Sequence, residues 1–326
     1  MQTARAASDA FQVSHRNFFW RIIMRSSSRL FPAVLLVTAC AFWGAATVLN
    51  KALLPSIPPI SLLVLQLAPS TLVLWAIVIA KGTTPPSRHV LFQVILLGIL
   101  NPGISYTLSL MGLARTTASV ATLLWAAEPL MIACLAALVL RESITKRLLA
   151  IILTGGFGVL LVAGDLNDVG RSGWDLTGNA LLLAAVLCCA IYTVVAKRIS
   201  PDVDPLFAIA TQQAAGLCWA SVLLLAETPY GTPHDLSSVP IGLMAAAAVS
   251  GLLYYAAAYW LYLVALRFVT AGIAGSYFNV IPIFGVGFAM VFLGEMLQPI
   301  QWVGAVIILL SALELVRATG RREASG

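Results

Sequence analysis

One acidic side chain lies in the middle of a segment that is otherwise apolar. Glu128 is the only charged residue between Arg115 and Arg141. A carboxylic acid at the centre of a membrane helix costs about 2.5–3.5 kcal/mol on insertion scales, so Glu128 is expected to face other helices. There it can bind a proton or an ammonium group. The alternative is a neutral, hydrogen-bonded structural acid beside Pro129.

Aromatic side chains form a second set of candidates. Trp125 precedes Glu128 by three residues, which places the two on one face of a continuous helix. A ring and a carboxylate on one face suit an ammonium group. Other Trp and Tyr are candidate ligand contacts, with packing or interfacial anchoring as the ordinary alternative: Trp43, Tyr106, Tyr192, Tyr255 and Tyr259.

Amides and prolines form the third set. Asn101-Pro102-Gly103 is predicted to interrupt a helix, and Asn279 lies three residues before Pro282. Both asparagines are candidate substrate contacts, because discontinuous helices line the binding sites of transporters. Pro129 and Pro282 are predicted hinges, since proline cannot form the helical hydrogen bond.

Other kinds of chemistry lack the residues they need. The three histidines lie in predicted tails or loops, the five cysteines lie within apolar segments, and neither an HExxH nor a phosphate-binding loop occurs. The sequence therefore predicts no metal site, no cofactor and no enzymatic activity.

The composition indicates what must position these residues. Of 326 residues, 60% are apolar and 10% are charged, against roughly 45–50% and about 25% in soluble domains. Since a membrane-spanning helix takes roughly 20 residues, the sequence predicts ten spans. They cover residues 32–50, 60–80, 90–113, 119–140, 147–163, 176–197, 205–226, 241–265, 272–293 and 299–316.

The ten spans form two copies of a five-span unit. An offset of 153 relates Tyr106 to Tyr259 and Glu142 to Glu295, while an offset of 146 relates Gln66 to Gln212. The matched glutamates are predicted to cap helix ends at the short connections between spans 4 and 5 and between spans 9 and 10. The matched glutamines are predicted to form interhelical hydrogen bonds.

The cations predict the orientation. An odd number of spans inverts the second repeat, and with the N-terminus inside, only Lys51, Arg115 and Arg171 of the 19 Lys and Arg face outward. The other 16 lie on the cytoplasmic side, as the positive-inside rule requires. The fold class is therefore an all-α membrane protein of two inverted five-helix repeats with both termini cytoplasmic. This distribution also accounts for the net charge of +6 without a nucleic-acid partner.

The domain organisation follows from the repeats. We predict a cytoplasmic tail, a first repeat, an external linker, a second repeat and a second cytoplasmic tail. These are residues 1–30, 31–164, 165–175, 176–317 and 318–326.

The pattern resembles the drug/metabolite transporter superfamily, and within it the ten-helix EamA-type exporters. The resemblance covers about residues 32–316 and implies a central cavity lined by spans 1, 3, 4, 6, 8 and 9. The residues that carry it are Phe42-Trp43-Gly44, Cys189-Ala190-Ile191-Tyr192, and the units Pro129 to Glu142 and Pro282 to Glu295.

The resemblance implies a secondary transporter of the bacterial inner membrane that works by alternating access. Its expected partners are the lipid bilayer, a small substrate (an amino acid, an amine or a drug-like metabolite) and a proton exchanged at Glu128. Two other classes stay open. A receptor or assembly subunit would need a partner domain outside the membrane, and a channel would need a continuous polar lining. The sequence gives no oligomeric state.

Overall fold

Every regular element in the part of the chain that the computed structural model describes is helical. In that part, seven helices are at least 18 residues long and apolar enough to cross a membrane, and three shorter apolar helices bring the set to ten. The all-α prediction and the number of apolar helices are thus confirmed. The described residues are 30–139, 146–163, 176–196, 203–227, 239–269, 274 and 277–323.

The ten helices follow the predicted spans closely, although four of them are segmented. Helices α3, α8 and α9 each have three consecutive segments, and α4 is divided into α4a and α4b. Helix α10 continues past the predicted span end at residue 316. The bounds are Leu30–Leu53 (α1), Pro59–Lys81 (α2), Arg88–Arg115 (α3), Ala118–Trp125 (α4a), Glu128–Val139 (α4b), Lys146–Ala163 (α5), Leu176–Ala196 (α6), Pro205–Glu227 (α7), Ile241–Ala265 (α8), Tyr277–Leu293 (α9) and Pro299–Glu323 (α10).

Helix distortions recur at equivalent positions of the two repeats. A π-helical turn covers Ile99–Ile104 in α3, and another covers Leu252–Ala257 in α8. The two turns are separated by the offset of 153 that relates the two halves of the sequence. Such turns insert an extra residue into the helical ladder and often accompany functional sites. The repeat in the sequence is therefore also a repeat in backbone geometry.

Close glycine contacts follow the same symmetry. Gly98 of α3 lies against the backbone of Gln212 in α7, and Gly251 of α8 lies against the backbone of Gln66 in α2. A Cβ atom on Gly98 would come within 2.6 Å of Gln212, and one on Gly251 within 2.4 Å of Gln66. Glycine is needed at both positions because the helices pack backbone to backbone.

The apolar core is distributed unevenly between the two ends of the bundle. We call the end that carries Lys51 and the α3–α4 and α9–α10 connections the Lys51 face. One large buried cluster, to which all ten helices contribute, includes residues beside these connections, such as Leu53, Leu113 and Leu297. Toward the opposite end, the described residues form separate smaller clusters, centred on Phe207, on Leu36 and on Ile151.

Several predictions concern residues outside the described ranges. These are the tail before residue 30, the linker 165–175, the last three residues 324–326 and the capping role of Glu142. They stay predictions, as does the direction in which each helix crosses the membrane.

Candidate functional site

A small cavity lies between α3, α6, α7 and α8. Its volume is about 30 Å³, which is room for about two water molecules. The lining combines tyrosines and side-chain amides with two apolar residues, and it contains no charged group. The lining residues are Asn101, Pro102, Tyr106, Tyr192, Ile209, Gln212, Gln213, Tyr255 and Tyr259.

Asn101 owes its position in the lining to a break in α3. Its backbone leaves the helical region, with φ −145° and ψ 114°, inside the π-helical turn, and Pro102 follows it. The predicted interruption of this helix is therefore confirmed. The Asn101 side chain is only 6% exposed, and its Oδ1 accepts no hydrogen bond from the described residues. A buried acceptor without a partner costs free energy, which a ligand with a donor group would recover.

Tyrosines from both repeats meet at the cavity. The hydroxyl oxygens of Tyr106 and its repeat mate Tyr259 are 3.4 Å apart. The Tyr106 ring also makes edge-to-face contacts with the rings of Tyr254 and Tyr255, with centroids 5.4 and 5.2 Å away. The structure thus brings together the predicted candidates Tyr106, Tyr255 and Tyr259, and it adds Tyr254 beside them.

Two glutamines complete the polar wall. The Tyr192 hydroxyl donates to Gln212 Oε1 at 3.0 Å. Gln213 Nε2 donates to the carbonyl of Tyr255 at 2.7 Å, and Gln213 Oε1 accepts from the Ser70 hydroxyl at 2.7 Å. The predicted interhelical hydrogen bond of Gln212 is thus confirmed, while neither glutamine was among the predicted ligand contacts. Their adjacency in the middle of an apolar span was the available signal.

The repeat mate of Gln212 does not line the cavity. Gln66 Nε2 donates to Asn50 Oδ1 at 2.5 Å and to the Ser250 hydroxyl at 2.6 Å, both buried. Its predicted role in interhelical bonding is confirmed. Gln66 and Gln212 therefore share the same backbone packing, but their side chains bond to different groups, and only Gln212 lines the cavity.

Glu128 lies beside the cavity and is not among its lining residues. It begins α4b, and its Oε1 accepts from the Cys189 thiol of α6 at 3.3 Å. The carboxyl group is also within electrostatic reach of Tyr192 and Tyr254. The Cys189 contact places Glu128 against α6, although the side chain is only partly buried.

The helix that was predicted to carry both Trp125 and Glu128 is not continuous between them. Helix α4a ends at Trp125, and a turn at Ala126–Ala127 separates it from α4b. Trp125 Nε1 donates to Ser109 of α3 at 3.2 Å, and its ring lies 5.9 Å from that of Tyr106. Pro129, in the first turn of α4b, lacks the N–H that would continue α4a, so the helix turns between the two side chains.

The remaining candidates are not among the residues that line the cavity. Trp43 Nε1 donates to the carbonyl of Tyr254 at 3.2 Å, and its ring packs edge-on against Tyr259 at 5.4 Å. Trp43 therefore packs against Tyr254 and Tyr259 without lining the cavity itself. Asn279 is buried in a 3-10 turn at the start of α9, and Pro282 begins the α-helical segment that follows.

Comparison with known proteins identifies the family of the chain. The sequence profile of the EamA-like transporter family matches residues 30–164 and again residues 176–317. The chain belongs to the EamA-like transporter family. As an EamA-like protein it is a multi-pass membrane transporter and not an enzyme.

Individual relatives are distant but match over most of their length. An uncharacterized transporter of Methanothermobacter thermautotrophicus is 27% identical over 301 residues, which cover 86% of this EamA-like chain and 84% of the relative. The threonine/homoserine exporter RhtA of Escherichia coli K12 is 28% identical over 284 residues, which cover 85% and 88% of the two chains. A solved crystal structure has the same fold, with a TM-score of 0.59 at 18% identity over 90% of this chain and 99% of that one.

Proposed function

We propose that this EamA-like transporter exports an amino acid or a related small metabolite across the bacterial inner membrane by alternating access through the cavity. The observation that carries the proposal is the unpartnered Asn101 Oδ1 in a tyrosine-lined cavity at the meeting of the two repeats. Inverted-repeat transporters bind substrate at that interface. The threonine/homoserine exporter among the relatives supports amino acids as the first class to test.

The chemistry of the lining favours a ligand with an ammonium group. Asn101 Oδ1 offers an acceptor for an N–H donor. Tyrosine rings attract a cation held over their faces, by about 0.5–2 kcal/mol or more depending on desolvation. The lining residues include no Lys or Arg that would repel such a ligand. An amine or a drug-like cation fits the same chemistry as an amino acid.

The size of the cavity favours a moving carrier. A volume of about 30 Å³ is too small for an amino acid, so the walls must separate before the substrate enters. The breaks in α3 and α4 supply the places where helix segments can move relative to one another. Pro129 and Pro282 lie at the starts of such segments, which supports the proposal that they are hinges.

Proton coupling through Glu128 is part of the proposal. Its carboxyl group can exchange a proton while the substrate binds next to it, because α6 carries both Cys189, which contacts Glu128, and Tyr192, which lines the cavity. An export cycle driven by an inward proton would need one titrating group near the site, and Glu128 fits that need.

The decisive experiment is counterflow in liposomes that contain the purified full-length protein. Labelled threonine and homoserine head a panel of amino acids and biogenic amines, and saturable counterflow of at least one is expected. An ohmic current without counterflow would indicate a channel. The absence of both currents and counterflow across the panel would favour a receptor or assembly subunit.

A matched pair of variants tests the cavity itself. Asn101 and Asn279 are both asparagines at 6% exposure, but only Asn101 lines the cavity. Asn101→Ala is expected to weaken substrate affinity by roughly ten-fold or more, since a hydrogen bond to a charged group contributes about 1.5–3 kcal/mol. Asn279→Ala should leave affinity nearly unchanged. Equal losses in both variants would contradict the assignment of the site to this cavity.

A further inference from the structure

A carboxylate from the second repeat caps a helix of the first. Glu295 Oε1 accepts from the backbone N–H of Ala118, and Glu295 Oε2 accepts from the N–H and the hydroxyl of Ser119, each at 2.8 Å. We call these three bonds the Glu295 latch. The sequence predicted a cap at the α9–α10 connection, and the structure corrects this prediction because the capped helix is α4a.

The Glu295 latch provides acceptors for two of the four backbone N–H groups at the start of α4a. The first four N–H groups of a helix have no partners within the helix. Glu295 accepts from those of Ala118 and Ser119, and the Thr117 hydroxyl accepts from that of Val120. The Ala121 N–H makes the first helical bond, to the Thr117 carbonyl. A negative charge is favourable at this end of a helix, and charge-assisted bonds are about twice as strong as neutral ones.

The local backbone directs Glu295 toward α4a. Gly294 ends α9 in the left-handed region, with φ +67°, a conformation that glycine adopts without strain. The N–H of Glu295 then donates back to the carbonyl of Ala289 at 3.2 Å. The chain therefore leaves α9 with a fixed turn that places the carboxylate against the neighbouring helix.

A cation holds the other side of the same connection. Lys51 Nζ donates to the carbonyls of Leu113 and Ala114 at 3.0 and 3.4 Å, at the end of α3, where a positive charge is favourable. The Glu295 carboxylate is within electrostatic reach of this ammonium group. The α3–α4 connection is thus clamped between a cation from α1 and an anion from the α9–α10 connection.

Below the latch, the helices are in close contact. Gly285 of α9 lies against Thr122 of α4a, so that a Cβ atom on Gly285 would come within 2.4 Å of the Thr122 side chain. A Cβ atom on Gly44 of α1 would likewise lie only 2.8 Å from the backbone nitrogen of Gly285. The large apolar cluster fills the rest of this end, so the Lys51 face is closed in this structure.

We propose that the Glu295 latch holds the Lys51 face closed and that its release is the step that lets α4a and α9 separate there. The inference rests on the alternating-access part of the proposed function. Glu295 is a positioning residue in this step, since it acts through α4a and not on the substrate. A carrier closed at one face must break contacts of this kind to open there, and a few hydrogen bonds between repeats can be exchanged without unfolding a helix.

Hydrogen exchange of the full-length protein in nanodiscs, without substrate, tests the latch. In Glu295→Gln, exchange in residues 116–124 is expected to rise on the order of ten-fold, as for other helix caps. The opposite end should close in return, so exchange in residues 74–81 and 203–210 should fall. Glu295→Asp keeps the charge on a shorter side chain and should give an intermediate result.

The matched control is Glu314→Gln, which removes a glutamate that pairs with Arg147 and Arg317, away from the latch. It should exchange like the wild type at both ends. Unchanged exchange at residues 116–124 in Glu295→Gln would overturn the proposal. Faster exchange at both ends would also overturn it, because that result indicates general destabilisation of the protein. Failure of the proposed function is distinguishable, since it would appear as a lack of counterflow in the wild type.

Discussion

Glu128 and Asn101 are both polar side chains among apolar helices, and the structure gives them different surroundings. Asn101 lines the cavity with an acceptor that has no partner among the described residues. Glu128 lies one layer away and accepts from Cys189. In the proposed function, this division gives ligand contact to the amide and proton exchange to the carboxyl group.

The first prediction concerns Glu128→Gln. The amide has nearly the same shape and cannot titrate, so transport should lose its dependence on pH while substrate still binds. The groups that face Glu128 in the described residues are Cys189, Tyr192 and Tyr254, and the variant keeps all three. The measurement is the initial rate of efflux from proteoliposomes over a pH series.

Glu314→Gln serves as the control for this series, because Glu314 lies in α10, where it pairs with Arg147. It should keep the wild-type pH profile. A Glu128→Gln protein that also keeps that profile would refute proton coupling through this residue.

At the residue scale, the sequence identified the polar side chains whose burial among apolar helices costs free energy. It did not identify the groups that each of them contacts. Glu128 was evident because one charge stood in an apolar segment. Its partner could not be predicted, since Cys189 lies 61 residues away. The same limit applies to Trp125: the spacing to Glu128 is helical, and only the turn at Ala126–Ala127 separates the two.

At the scale of helices, close approach depends on glycines at repeat-related positions. Gly98 and Gly251 let α3 and α8 touch the backbones of α7 and α2. Each glycine stands directly before a π-helical turn, so the tight contact and the distortion occur together.

The second prediction concerns these glycines. Gly98→Ala and Gly251→Ala should each destabilise the protein by about 1–3 kcal/mol, because the new methyl group overlaps a backbone that cannot move away. Gly156→Ala and Gly287→Ala are the controls, since a Cβ atom there meets nothing within 4 Å. The controls should be neutral or stabilised by up to about 1 kcal/mol, as alanine is the better helix former.

Thermal unfolding of the four variants in the same nanodiscs measures the difference. The two repeat-related variants should have similar, lowered midpoints. If all four behaved alike, the backbone-to-backbone packing would not be what stabilises these interfaces.

At the scale of the whole molecule, the two ends of the bundle differ in closure. The Lys51 face has a continuous apolar cluster and two charged clamps, while the described residues at the other end form separate clusters. If the N-terminus is cytoplasmic, as the cations predict, the closed face is the external one. The conformation would then be closed toward the outside.

The third prediction tests this orientation. A fluorescent protein fused to the C-terminus should fluoresce in cells, and alkaline phosphatase fused there should be inactive, because both termini are predicted to be cytoplasmic. Alkaline phosphatase fused after Thr116, in the α3–α4 connection, should be active. The reverse pattern would place the Lys51 face in the cytoplasm and contradict the distribution of cations.

The sequence by itself determined the class of the molecule, the ten apolar helices and the correspondence between the two repeats. These features are local or periodic, since hydropathy depends on neighbouring residues and a repeat is visible at a fixed offset. Only the tertiary structure decided which side chains meet. Glu295 finds its donors 176 and 177 residues away, and Gln213 enters the cavity wall through bonds to α2 and α8. Such pairs depend on how each helix is rotated and how closely it packs, and glycine contacts between distant segments set both.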